Sequence, residues 1–238
     1  DSVVFDCGPC GPDDNPGHAH ADFLTVEATA AGKRFLVDTG VPTYTAGDDR
    51  NASRSSVAHN GPRMVGAEPI EFWKSFRVGR RGYAGELEIA PVAPEGSLQT
   101  AGWQSGYAHL GADVRRAVCL WPGQGLLIAD LWRGGSGEPA TSFLVPSDWQ
   151  HEAGPGFGPE FVQGDTRLTM QPLIGELSAP EADSHWYRFG VEQKAHRIDL
   201  RPEGGNGHYR AAVFFSWSPD AQIPDADLLS RLFESLAT

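Results

Sequence analysis

Glycine and proline set the first constraint on this chain: 29 and 18 of them fall among 238 residues and cut its apolar segments into short runs. Long helices and coiled coils are excluded by that punctuation. What survives between the breaks alternates apolar and polar side chains, the period of a half-buried strand. Phe23 to Thr29 alternates, Ala31-Gly32-Lys33 supplies a turn, and Arg34-Phe35-Leu36-Val37 returns. Arg116 to Trp121 meets Leu126 to Asp130 across Pro122-Gly123-Gln124-Gly125, a second hairpin. Further strands are expected at Glu86 to Val92, Thr141 to Val145, Thr166 to Met170, Trp186 to Phe189, Ala195 to Leu200 and Tyr209 to Trp217. Only the tail has helical spacing, with Leu228, Leu229, Leu232, Phe233 and Leu236 following Asp225 as a cap. With no repeat and no linker, residues 1–238 are expected to form one all-β, antiparallel two-sheet sandwich with a short C-terminal helix.

Length and composition suit a globular chain with ample core, and no apolar run approaches the roughly 20 residues of a membrane span. A formal net charge of −12 argues against nucleic acid as a partner. The charge is nevertheless polarised. Between Arg50 and Arg81 lie seven cations (Arg50, Arg54, Arg63, Lys74, Arg77, Arg80, Arg81) against Glu68 and Glu71. Such a run is commonly a solvated face, but six of the seven are arginine, the side chain suited to gripping carboxylates and sulfates.

Cys7 and Cys10 form a C-x-x-C inside a Gly/Pro loop with no second pair to complete a four-thiolate zinc site; they are read as free or loosely bridged. Cys119, in an apolar run, is read as core. No signal peptide is visible, and the start on a strand-like Asp1-Ser2-Val3-Val4-Phe5 gives the expectation of a piece from a longer protein.

Gly17-His18-Ala19-His20-Ala21-Asp22 stands where a loop enters the first alternating strand. If that strand extends back, His18 and His20 project to one side. Asp38, ending the return strand, comes close to His20, and His59 adds a third imidazole. Two histidines and a carboxylate are a common first-row metal set, with zinc the default. Hydrogen-bonded histidines at a strand start satisfy the same pattern, and the two readings stand level. His109, His151, His185, His196 and His208 are read as surface or structural.

Taken together, Asp6-Cys7-Gly8, Gly17-His18-Ala19-His20-Ala21-Asp22, Val37-Asp38-Thr39-Gly40, Tyr44, Arg50 and Arg54-Ser55-Ser56-Val57-Ala58-His59-Asn60 resemble the heparinase II/III-like polysaccharide lyases. Phe72 to Arg77, Gly106-Tyr107 and Arg116 continue the resemblance more weakly, whereas Gly61-Pro62 departs from the family's usual continuation. The resemblance implies β-elimination on a uronic-acid polysaccharide. It implies His18 as an active-site histidine, His20, Asp38 and His59 as ligands of a metal, usually zinc, and Arg50 and Arg54 near an acidic substrate. It also implies a periplasmic or secreted enzyme with an N-terminal helical toroid that supplies a catalytic tyrosine and an asparagine or histidine. Nothing in this sequence reads as that toroid, so the domain alone is expected to be inactive. Two other readings stay open: a non-catalytic carbohydrate-binding sandwich using Trp73, Trp103, Trp132 or Trp149, and a metal-dependent hydrolase.

Overall fold

A computed structural model describes residues 1–153 and 158–238. Its strands form two main antiparallel sheets and two small ones. The large sheet is centred on the hairpin Ala112–Trp121 and Gly125–Gly134, which pairs Trp121 with Gly125 and Ala112 with Gly134. His208–Ser216 joins its outer side, followed by Thr166–Ile174. Leu98–Gln104 and Ala84–Glu86 extend the opposite edge. The smaller sheet pairs Pro139–Pro146 with Val191–Arg201 and with Pro62–Met64, and Glu181–Arg188 adds to Val191–Arg201. Ser2–Phe5, Val26–Ala30 and Lys33–Leu36 make a third, three-stranded sheet. The antiparallel sandwich is therefore the observed architecture.

Alternation decides which face each strand buries. Val118, Leu120, Leu126, Ile128 and Trp132 point inward with Phe143, Val145, Ile198 and Leu200 of the smaller sheet, forming the main core. Their neighbours Ala117, Cys119, Leu127, Ala129 and Leu131 face the other way, where the helix Ala226–Ala237 covers them with Leu228, Leu229, Leu232, Phe233 and Leu236. Both faces of the central hairpin are thus dry, which explains its almost unbroken apolar sequence. Asp225 caps the helix, its Oδ1 accepting the Leu228 N–H at 2.8 Å.

Three expectations are corrected. Residues 19–25 are not strand; the first long strand begins at Val26. Glu86 to Val92 stays in a strand only as far as Glu86, because the Gln99 side chain takes over the pairing by donating to Ala90 O and accepting from Val92 and Ala93 N–H. A second helix, Asp48–Arg54, stands where none is expected. Its buried face is Arg50, Ser53 and Arg54, so the helical period is carried by polar residues and leaves no apolar stripe. All three cysteines are free, Cys10 and Cys119 buried and Cys7 partly so.

A buried ion pair of the large sheet reaches across to the smaller one. Arg116 and Asp130, cross-strand partners on the central hairpin, are fully buried and joined bidentately at 2.6 and 2.7 Å. Thr141 of the smaller sheet donates to Asp130 at 2.6 Å, and the remaining Arg116 nitrogen donates to the carbonyls of Leu24 and Asn60. Breaking such a pair strands a charge in the core, at a cost of about 3–5 kcal/mol. Arg116→Met is expected to lose about that much stability in urea denaturation, and Arg116→Met with Asp130→Leu to recover part of it.

Candidate active site

The loops that carry the histidines are positioned by side chain-to-backbone bonds. Asn60 donates to the carbonyls of Val26 and Val37, and its Oδ1 accepts the Leu144 N–H at 2.8 Å. This locks His59, one residue earlier, against Asp38, one residue after Val37. Gly61 follows because a Cβ there would come within 2.7 Å of the Phe23 carbonyl. Gly40, at φ 73° and bridged to Trp186, would drive a Cβ into the Trp186 carbonyl. That contact brings the strand Glu181–Arg188 over the site.

His20, Asp38 and His59 line one cavity of about 390 Å³. His59 Nδ1 lies 2.6 Å from Asp38 Oδ2, and the His20 and His59 ring centroids are 5.4 Å apart. His59 Nε2 is buried without a hydrogen-bond partner among the described residues. Burial, reinforced by His59 and Arg50, pushes the His20 imidazole down to about 3. Burial opposes the charge on His59 as well, but Asp38 outweighs it and holds His59 above the usual imidazole value. The same coupling keeps Asp38 low despite its burial. Two imidazoles and a carboxylate are suitable zinc donors, and the orphaned Nε2 fits a missing electrophile. As the side chains stand, however, no three His, Cys, Asp or Glu groups among the described residues form a metal shell.

Strand alternation does not unite His18 with His20, since His18 closes a turn of 3₁₀ helix, Pro16–His18, and is exposed. The connection runs through aromatic and cationic contacts instead. His18 meets the edge of Tyr44 at 5.2 Å between centroids. The Arg50 guanidinium lies 5.1 Å from the Tyr44 ring and 3.1 Å from His20 Nε2, and donates to the Gly17 carbonyl. Phe189 stacks on the Tyr44 ring at 5.2 Å.

Arg50 and Arg54 are both fully buried, and among the described residues no carboxylate pairs with either. Arg54, expected beside the substrate, is committed to the protein: it donates to the carbonyls of Ala19, Lys74 and Ser75 and lies 4.5 Å from the Phe72 ring. Burial, followed by the charge of Arg50, draws Arg54 down to about 10. Its field reaches the site although its hydrogen-bonding atoms do not. Of the four tryptophans considered as sugar platforms, Trp132 and Trp149 are sealed in the core, and Trp103 is half-buried. Trp73 is 55% exposed.

Sequence reasoning missed Asp22 and His185 as lining residues of the same cavity. Asp22 was signalled by its place in the H-x-H-x-D; burial pushes its carboxyl up. Buried His185 carried no signal, because only the fold brings its strand to Asp38.

The chain is thus an antiparallel sandwich carrying a cluster of histidines beside two buried arginines. The chain matches the heparinase II/III-like C-terminal family over residues 2–203 and belongs to that family. Its fold is similar to that of heparan sulfate lyase HepC from Pedobacter heparinus, at TM-score 0.71 and 18% identity over 94% of this chain and 34% of that one. It is also similar to two heparinase III structures. One has TM-score 0.70 and 15% identity over 90% of this chain and 32% of its own. The other has TM-score 0.68 and 16% identity over 92% and 34%. At such identities the likeness establishes the fold. The chain spans about a third of the length of these proteins. No curated protein matches it. Among the described residues, no helix is long and apolar enough to cross a membrane.

Arg54→Lys keeps a charge but cannot span three carbonyls. It is expected to lower stability by about 3 kcal/mol in denaturant titration, with Arg54→Ala at least as damaging.

Proposed function

We propose that this chain is the β-sandwich part of a periplasmic or secreted polysaccharide lyase that cleaves a uronic-acid polysaccharide by β-elimination. The observation that carries this reading is the buried Arg50 guanidinium, which no carboxylate pairs with among the described residues, beside exposed His18 and Tyr44, with the buried charge of Arg54 adding to its own. A buried cation without a counter-charge is costly, and an anion arriving next to it recovers that cost. Elimination demands such a field. The proton on C5 of a uronate is too weakly acidic to leave unless the neighbouring carboxylate is neutralised and the enolate-like charge stabilised.

In the reaction the C5 proton is removed, a double bond forms between C4 and C5, the bond from C4 to the glycosidic oxygen breaks, and that oxygen takes up a proton. His18, exposed and held edge-on by Tyr44, exchanges a proton or stabilises charge at the sugar. Arg50 supplies a fixed positive charge while its hydrogen bonds hold His20 and the turn at Gly17. The tyrosine and the asparagine or histidine that complete the chemistry would come from an N-terminal helical toroid. Without it this domain would be inactive.

His20, Asp38 and His59 would hold a zinc ion. When bound, it would supply positive charge to this wall of the cleft. The chain's own contribution is rigidity, since Asn60 fixes His59 and Gly40 fixes the turn after Asp38.

The test is absorbance of the unsaturated product when the protein, joined to its toroid, meets uronate polymers. Turnover is expected, and His18→Ala is expected to lower it by about 10²–10⁴-fold with little change in melting. Binding of uronate polymers without any product would instead favour a carbohydrate-binding sandwich. Separately, added zinc is expected to raise the melting temperature of the wild type but not of His20→Ala or His59→Ala. A wild type indifferent to zinc and to chelators would remove the metal.

A further inference from the structure

The run of seven cations from Arg50 to Arg81 is not one basic surface. Arg50 and Arg54 are buried, and three more are consumed internally. Arg63 binds Ser142 and Asp199. Arg80 donates to the carbonyls of Glu68, Pro69 and Gly106, and Arg81 binds Asp13. Only Lys74 and Arg77 have exposed side chains with no hydrogen-bond or ion-pair partner among the described residues. Both sit on one small hairpin, Phe72–Trp73 paired with Arg77–Val78.

That hairpin is two-faced by strand alternation. Phe72 and Val78, cross-strand partners, pack on the cluster of Ala19, Ala21, Phe23 and Ile70. Trp73 and Arg77, the next pair, face outward together. Trp73 and Phe76 are 55% and 43% exposed, so two aromatic side chains near the tip of the hairpin are open to a ligand. Glu71, the nearby acid, is already engaged: its carboxylate is hydrogen-bonded by the Trp73 side chain and accepts the Arg80 N–H at 3.0 Å.

The tip is also held in an unfavourable conformation. Lys74 has φ 59°, a left-handed value that a non-glycine residue adopts only under constraint. The constraint comes from below, where Arg54 binds the Lys74 and Ser75 carbonyls and Ser75 Oγ donates to Asn51. Phe76 lies 5.8 Å from the Arg50 guanidinium, and its backbone approaches Gly17, beside His18. A buried arginine therefore fixes a tip presenting an aromatic ring and two free cations next to the proposed reaction site.

We propose that the hairpin Phe72–Val78 is a binding finger for an anionic sugar residue of the polymer, with Trp73 as the ring platform and Lys74 and Arg77 contacting carboxylate or sulfate. This rests on the reading of the protein as acting on acidic polysaccharide and adds where the chain is gripped outside the reacting sugar.

The test is calorimetric binding of a heparin hexasaccharide, a sulfate-free oligouronate and a neutral malto-oligosaccharide. Lys74→Asn with Arg77→Gln is expected to weaken heparin binding by about ten- to a hundredfold, and Trp73→Ala by about tenfold. Asn tolerates the left-handed backbone, so the charge variant should melt close to the wild type. Binding of the oligouronate with the same dependence assigns the cations to carboxylate; its absence assigns them to sulfate. Affinities unchanged in both variants, or equal binding of the neutral sugar, would overturn the finger. So would loss of the Trp73 dependence once the toroid is attached, since the tip would then be covered by protein. Failure of β-elimination would remove the proposed reaction while leaving this binding measurement to stand by itself.

Discussion

The buried pair between Arg116 and Asp130 is the contact on which the rest of the molecule depends. It joins two strands of the large sheet, takes in Thr141 from the smaller one, and ties down the carbonyls of Leu24 and Asn60. Those two carbonyls belong to the loops that flank the histidine cluster. The sheets could pack through apolar contact alone. The loops could not be placed by it, because apolar contact has no direction and hydrogen bonds from a planar guanidinium do.

Arg50 and Arg54 are just as buried, yet among the described residues no carboxylate pairs with them. The protein thus treats two equivalent problems differently. In the core the arginine is balanced, and near the surface two are left in charge excess, held only by carbonyls, a histidine and aromatic faces. Carbonyl dipoles satisfy donors without cancelling charge. The outcome is two buried positive charges close together inside a chain of net charge −12. Four of the buried polar atoms that find no hydrogen-bond partner among the described residues belong to these arginines and to the histidine cavity: Arg50 Nε, Arg54 Nη2, His59 Nε2 and His185 Nε2.

How much was legible in the sequence followed from the kind of signal available. The central hairpin, read as two apolar runs, Arg116 to Trp121 and Leu126 to Asp130, joined by Pro122-Gly123-Gln124-Gly125, and the capped apolar helix Ala226–Ala237 declared themselves. The helix Asp48–Arg54 did not, because its buried face is arginine and serine, which hydrophobic periodicity cannot register. The segment after Glu86 misled for the opposite reason: its alternation is real, but the Gln99 side chain replaces the neighbouring strand. Proximity of Asp38 to His59 followed from motif resemblance, whereas the arrival of His185 in the same cavity had no local trace.

The sequence by itself determined the sandwich, the covering helix and the loops in which the histidines lie. These follow from periodicity and turn chemistry, which act over a few residues. Only the tertiary structure decided what each charged residue does. It engaged five of seven cations with other groups of the protein and left Lys74 and Arg77 without a partner among the described residues, and it set Arg54 beneath a strained tip rather than at a surface. A side chain's charge is written in the sequence, but the energy of that charge depends on what surrounds it, and the surroundings here come from segments far apart along the chain.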